Sequence, residues 1–206
     1  MDYRLEFDGR ISHAFAPQED IITKLYWSKG QYYECKRGQL LRHFRGLEID
    51  CYVDIGAHWG NHAMFMKDHS KEMFLFEPNP LNYSTLCVNT PKANHFNCAI
   101  GSERKLIGMK QEADNNTGSS YVVGDGLIAM VTLDSMSLKP SLLKIDVEGY
   151  ELEVLKGATE TIAKHKPIIA IEAEHNEIEI NNILKSLGYN VAIETTNVSK
   201  TLIYYP

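Results

Sequence analysis

The chain has 206 residues, 44% of them hydrophobic and 23% charged, the balance of a globular domain with room for a sizeable core. A net charge of −6 and a pI near 5.7 argue against a nucleic-acid groove, which shows a basic excess. No apolar run is long enough to predict a membrane span, and no apolar leader follows Met1, so the expected compartment is the cytoplasm.

Residues 1–32 are rich in aromatics (Tyr3, Phe7, Phe15, Tyr26, Trp27) and punctuated by Gly9, Pro17 and Gly30. They read as an arm or cap ahead of a single domain over 33–206. A helix is predicted over 33–45, with Leu40, Leu41 and Phe44 on one face and Gly46 closing it. The basic cluster Lys36, Arg37, Arg42 and Arg45 reads as its solvated face. The first strand is predicted over 49–55, with a helix starting near Gly60 and Asn61. A second strand over 71–76 leads to Asn79-Pro80, an N-cap followed by proline at the first helical position. A third strand is expected over 95–100. From 105 to 130 the pattern turns into short β-like runs broken by Gly, Asn and Asp, a hairpin-bearing insertion.

The rhythm then resumes with a strand over 142–147, a helix over 151–165 and a strand over 167–173. A helix carrying Ile180, Ile183, Leu184 and Leu187 is closed by Gly188, and 191–194 can pair with 201–205 as an antiparallel hairpin. Such alternation implies an α/β, Rossmann-like fold with a mostly parallel sheet, a β insertion before the fourth strand and an antiparallel C-terminal hairpin. Ligands on such sheets bind at the carboxyl ends of the strands. Those ends are predicted at Asp54, Glu77, Ala99, Asp146 and Glu172. The four cysteines, Cys35, Cys51, Cys87 and Cys98, lack C-x-x-C spacing and read as buried free thiols.

The richest stretch is Tyr52-Val-Asp-Ile-Gly-Ala-His-Trp-Gly60, followed by Phe76-Glu-Pro78. A dinucleotide turn keeps its first position as glycine, because pyrophosphate must lie on bare backbone N–H groups. Asp54 stands there instead. A carboxylate repels pyrophosphate but suits the sulfonium and ammonium of S-adenosylmethionine, and Glu77 after the next strand can accept from ribose hydroxyls.

Together with Thr132-Leu-Asp134, Leu143-Lys-Ile-Asp-Val-Glu-Gly-Tyr-Glu-Leu-Glu-Val-Leu-Lys-Gly157 and Pro167-Ile-Ile-Ala-Ile-Glu172, these motifs resemble the FkbM-type methyltransferases from about Tyr33 onward. His58-Trp59 and a short N-terminal region depart from the family pattern. The resemblance implies a class I, S-adenosylmethionine-dependent enzyme that methylates hydroxyls of sugars or other small molecules. It implies Asp54, Gly56, Ala57, Gly60 and Asn61 around the methionine half of the cofactor, Glu77 on the ribose and Ala99 against the adenine. The acceptor is then a glycan or other small molecule. Ribose 2′-O-methylation of RNA and a non-catalytic cofactor-binding scaffold are the alternatives. Asp146 is the expected base, with Glu172 and His175 lining the acceptor pocket, whereas Glu148 reads as a helix-start carboxylate. No metal is expected: His58 and His62 lack a third ligand and have Gly60 between them, and Asp146, Glu172 and His175 show no ligand spacing.

Overall fold

The structure, a computed structural model, describes residues 2–7, 10–17, 20, 23–24, 44, 46–111, 116, 118–195 and 200–206. Strands β1 (Asp2–Phe7) and β2 (Arg10–Phe15) form an antiparallel hairpin, so part of the predicted arm is β structure. The helix predicted over 33–45 and its basic cluster lie outside the described residues except for Phe44. Gly46, expected to close that helix, has a φ of +81°.

The core of the fold is a seven-stranded sheet in the order β11-β12-β10-β9-β3-β4-β5. Its parallel strands are β3 (Ile49–Ile55), β4 (Ser70–Phe76), β5 (Asn94–Phe96), β9 (Leu142–Ile145) and β10 (Ile168–Glu172). The antiparallel edge is β12 (Thr201–Tyr205), then β11 (Asn190–Thr195), as the sequence predicts. Val53, Leu142, Leu143, Ile145, Ile169 and Ile171 are almost wholly enclosed. Each such aliphatic side chain stabilises the fold by about 1.5–3 kcal/mol relative to exposure, and burial on both faces explains why these strands read as continuous apolar runs.

Around the sheet lie α1 (Ala63–Met66), α2 (Pro80–Asn89), α3 (Glu151–Lys156), α4 (Thr159–His165) and α5 (Glu177–Ser186). Asn79 caps α2 as predicted, its Oδ1 accepting from the amides of Leu81 and Asn82. Beside the main sheet, β6 (Ala99–Ile100), β7 (Lys105–Gln111) and β8 (Ser120–Val131) form a small sheet in the order β6-β8-β7, which accounts for the predicted insertion.

Two elements differ from the sequence reading. The helix expected over 151–165 breaks into α3 and α4 at Gly157, where an added Cβ would stand 1.9 Å from the backbone oxygen of Gly101. The chain must pass against another backbone there, and only glycine allows it. The third strand also divides. It leaves the main sheet after Phe96, where the Asn97 carboxamide donates to the carbonyls of Glu77 and Pro78. Ala99 then pairs with Met130 in the small sheet.

Candidate functional site

Strand register builds the site. Ile55 is paired with Phe76 on one side and Ile145 on the other, and Ile145 with Ile171. The residues that follow these partners, Gly56, Glu77, Asp146 and Glu172, therefore line one rim of the sheet. Four of the five predicted strand ends thus belong to the main sheet; Ala99 reaches its place from the small sheet, buried beside Ile107 and Met130.

At the centre of the rim Gly56 has a φ of +85°, and a Cβ on it would stand 1.8 Å from the Asp146 carbonyl oxygen. The turn is thus wedged against the end of β9. The amides of Gly56 and Ala57 both donate to the Phe76 carbonyl at 3.0 Å, so neither points a free donor at a ligand. Gly60 faces α2, toward Thr90 and Leu86. Asn61 is buried; its Nδ2 lies 3.1 Å from His58 Nδ1, and its Oδ1 finds no donor among the described residues. An enclosed acceptor without a partner is unusual in a folded protein.

Glu77 fastens this turn to the start of α2. Its Oε2 accepts from the His58 amide and its Oε1 from the Asn79 amide, both at 2.9 Å. Burial pushes its carboxyl up to about 7, against these amides and the Asn82 side chain, which hold it down. His58, with φ at +52°, stacks on Trp59 and is pushed down to about 4 by burial. The buried Trp59 donates to Asn82 Oδ1 at 2.9 Å and serves the core. The arm reaches this turn as well. The Asn89 carboxamide bonds to both backbone groups of Phe15 and to the Trp59 carbonyl, and the buried Asp20 lies close enough to act on His58.

Asp54 is fully enclosed. It accepts from the Tyr52 hydroxyl at 2.9 Å and from Lys144 Nζ at 3.2 Å. Lys144 is itself buried and reaches Asp146 Oδ2 at 3.1 Å. Sequence reasoning missed Lys144. The available signal is a lone charge within the apolar run Leu142-Leu-Lys-Ile145, beside a strand carrying a buried aspartate.

Asp146 is half-buried. Burial opposes its charge, but Lys144, a hydrogen bond with Glu172 and the nearby His62 hold its carboxyl well below the usual range. Asp146, Glu148 and Glu172 each present an oxygen within 4.8 Å of the others. Glu148 therefore belongs to this cluster, held there by a φ of +52°, and the helix-start role passes to Glu151, whose Oε1 accepts from the amides of Val147 and Gly149. His175 is exposed and stands beside Gly149, outside the trio. Three carboxylate oxygens at this spacing are hard donors of the kind a divalent cation uses. Here, however, the ammonium of Lys144 already balances one of the charges. Cys51 is a buried free thiol as expected, whereas Cys87 and Cys98 are free but half-buried and Cys35 lies outside the described residues; the thiols of Cys51 and Cys98 are pushed up to about 11, chiefly by burial.

No helix among the described residues is long and apolar enough to cross a membrane. The hexuronic acid methyltransferase AglP of Haloferax volcanii is 27% identical over 162 residues, which cover 73% of this chain and 67% of that protein. Methyltransferase FkbM from Methylobacillus flagellatus superposes with a TM-score of 0.56 at 21% identity over 77% of this chain, which spans only 44% of that structure's length. The Streptococcus pneumoniae protein Sp1610, in complex with S-adenosyl-L-methionine, gives 0.55 at 12% identity, covering 82% of this chain and 72% of its own. These likenesses carry the class I methyltransferase fold. The family model described as the methyltransferase FkbM domain matches residues 54–191, the segment that builds the whole rim, and the chain belongs to the FkbM methyltransferase family.

Proposed function

We propose that this protein transfers a methyl group from S-adenosylmethionine to a hydroxyl of a carbohydrate or another small hydroxylated molecule. The observation that carries the reading is the rim itself, where the glycine turn after β3 is wedged against Asp146, with Glu148 and Glu172 within 4.8 Å. A cofactor turn and a group of proton acceptors are thereby adjacent, as methyl transfer to oxygen requires.

The residues suit the cofactor. Asn61 Oδ1, without a donor among the described residues, is an acceptor suited to an ammonium. Glu77 has committed about three of its four acceptor positions to His58, Asn79 and Asn82, leaving one for a ribose hydroxyl. Ala99 offers an apolar surface for the adenine. Asp54, enclosed and paired with Lys144, acts on the methionine half through its charge rather than by contact. The cofactor supplies an electrophilic methyl group on a sulfonium.

The chain's own task is to hold the acceptor oxygen in line with that methyl group, since positioning supplies much of the rate in such a displacement. Asp146, held anionic, accepts the hydrogen bond of the acceptor hydroxyl and aims its lone pair. A carboxylate of such low basicity is a modest base alone, and the neighbouring Glu148 carboxylate, within 4.8 Å, offers the departing proton a second oxygen. His175, exposed in the loop just before α5, is a contact for the acceptor at the outer edge. The sugar acid named for the Haloferax relative makes uronic acids and hexoses the first acceptors to test. Calorimetry with S-adenosylmethionine and S-adenosylhomocysteine comes first, then transfer of a labelled methyl group to a glycan panel. Binding and transfer to a sugar hydroxyl support the reading. Absence of binding at millimolar ligand refutes it.

A further inference from the structure

We infer that Lys144 is a positioning residue, whose ammonium clamps Asp54 to Asp146 across the paired ends of β3 and β9 and so holds the cofactor side and the acceptor side of the rim in one geometry. Its consequence for turnover rests on the methyl-transfer reading; the clamp itself does not.

The argument starts from register. Lys144 is paired with Asp54 in the parallel ladder, and Asp146, two residues on and just past the end of β9, also lies within reach of it. One ammonium therefore reaches Asp54 Oδ1 at 3.2 Å and Asp146 Oδ2 at 3.1 Å. Stability does not explain the arrangement. Burying an ammonium and a carboxylate carries a desolvation penalty of several kcal/mol per ion, and apolar replacements of similar volume are often at least as stable. Position 144 lies between Leu143 and Ile145, both fully enclosed, where a leucine would serve the core. What the charge provides is a fixed separation between two carboxylates on adjacent strands. One belongs to the strand that enters the glycine turn, and the other lies half-open at the acceptor end.

The surroundings of Asp146 make the effect measurable. The groups that face it are Lys144 from β9, His62 from the turn into α1, and Glu172 and Glu148 at the rim, with His58 and Asp54 behind. Lys144 acts by both its charge and its hydrogen bond. Without it Asp146 faces mainly carboxylates, and its protonation moves upward.

The test needs neither cofactor nor acceptor. Protein labelled at the aspartate carboxyl carbon is titrated by NMR, and the Asp146 signal is assigned by its loss in Asp146→Asn. In the wild type it should remain ionised below the ordinary aspartate range. In Lys144→Met combined with Asp54→Asn, which leaves no enclosed carboxylate unpaired, its midpoint should rise by at least one pH unit. If that variant does not fold, Lys144→Gln with Asp54→Asn makes the same comparison with a donor retained. A wild-type midpoint at the ordinary value, or the same midpoint in wild type and variant, overturns the proposal. With an acceptor in hand, the variant should lose at least tenfold in kcat with a smaller change in KM, and Lys144→Arg should recover part of the loss. Equal kcat would overturn the positioning role. A wild type that binds no S-adenosylhomocysteine would sink the proposed function, while the titration would still decide the clamp.

Discussion

Gly56→Ala tests the wedge between the glycine turn and β9. At a φ of +85° an alanine carries a left-handed backbone penalty of about 1–2 kcal/mol. Its Cβ would also meet the Asp146 carbonyl oxygen at 1.8 Å and the carbonyl carbon at 2.9 Å, both backbone atoms that cannot rotate aside. The strand ends must therefore separate, straining the 3.0 Å bond from the Asp146 amide to the Ile55 carbonyl. Leaving a buried amide poorly paired costs about 1–3 kcal/mol. The sum is about 3 kcal/mol, and for a domain of this size that lowers Tm by about 6–12 °C. Gly46→Ala is the control. Its φ is +81° but no described residue lies within 4 Å of the added Cβ, so the backbone penalty of about 1–2 kcal/mol is the expected cost. Differential scanning calorimetry of both variants separates conformation from collision. A Gly56→Ala shift no larger than that of Gly46→Ala would refute the wedge. The same variant should lose methyl transfer more than it loses stability, because the collision displaces Asp146.

Glu77 and His58 predict opposing pH dependences of stability. Glu77 titrates higher in the folded chain, about 7 against 4.5, so ionising it removes stability as pH rises through that window. His58 titrates lower, about 4 against 6.5, so stability falls as pH drops through its own window. Each slope is about 1.4 kcal/mol per pH unit where one proton is fully at stake, and the two cancel between about pH 4.5 and 6.5. Relative to wild type in urea unfolding, Glu77→Gln should gain stability with rising pH, and His58→Asn should lose it; parallel curves would contradict both. Asp146→Asn should keep affinity for S-adenosylhomocysteine while slowing transfer by about 10²–10⁴-fold, and unchanged turnover would remove it from the chemistry. Chelator should leave turnover intact, since Lys144 supplies the local positive charge; a loss restored by Mg²⁺ would assign the carboxylate trio to a cation instead.

The sequence by itself determined what depends on local pattern. The buried parallel strands are legible because burial on both faces makes β3, β9 and β10 mostly apolar, broken only by single charged residues. The start of α2 is legible because Asn79-Pro80 encodes its cap chemically. Asp54, Glu77, Asp146 and Glu172 could be picked out because strand ends are readable and parallel pairing brings such ends together. Tertiary structure decided whatever depends on which backbone passes another. Gly157 divides a helix because the Gly101 carbonyl lies against it, and Asn97 ends a strand by bonding to carbonyls 19 and 20 residues away. Glu148 enters the carboxylate cluster through a left-handed backbone, while Glu151 takes over the local amides and His175 stays outside. Lys144 is the plainest case. Within its own strand it is a polar interruption, and only the register with β3 gives it Asp54 as a partner, because the energy of a buried charge is set by neighbours that the local sequence does not contain.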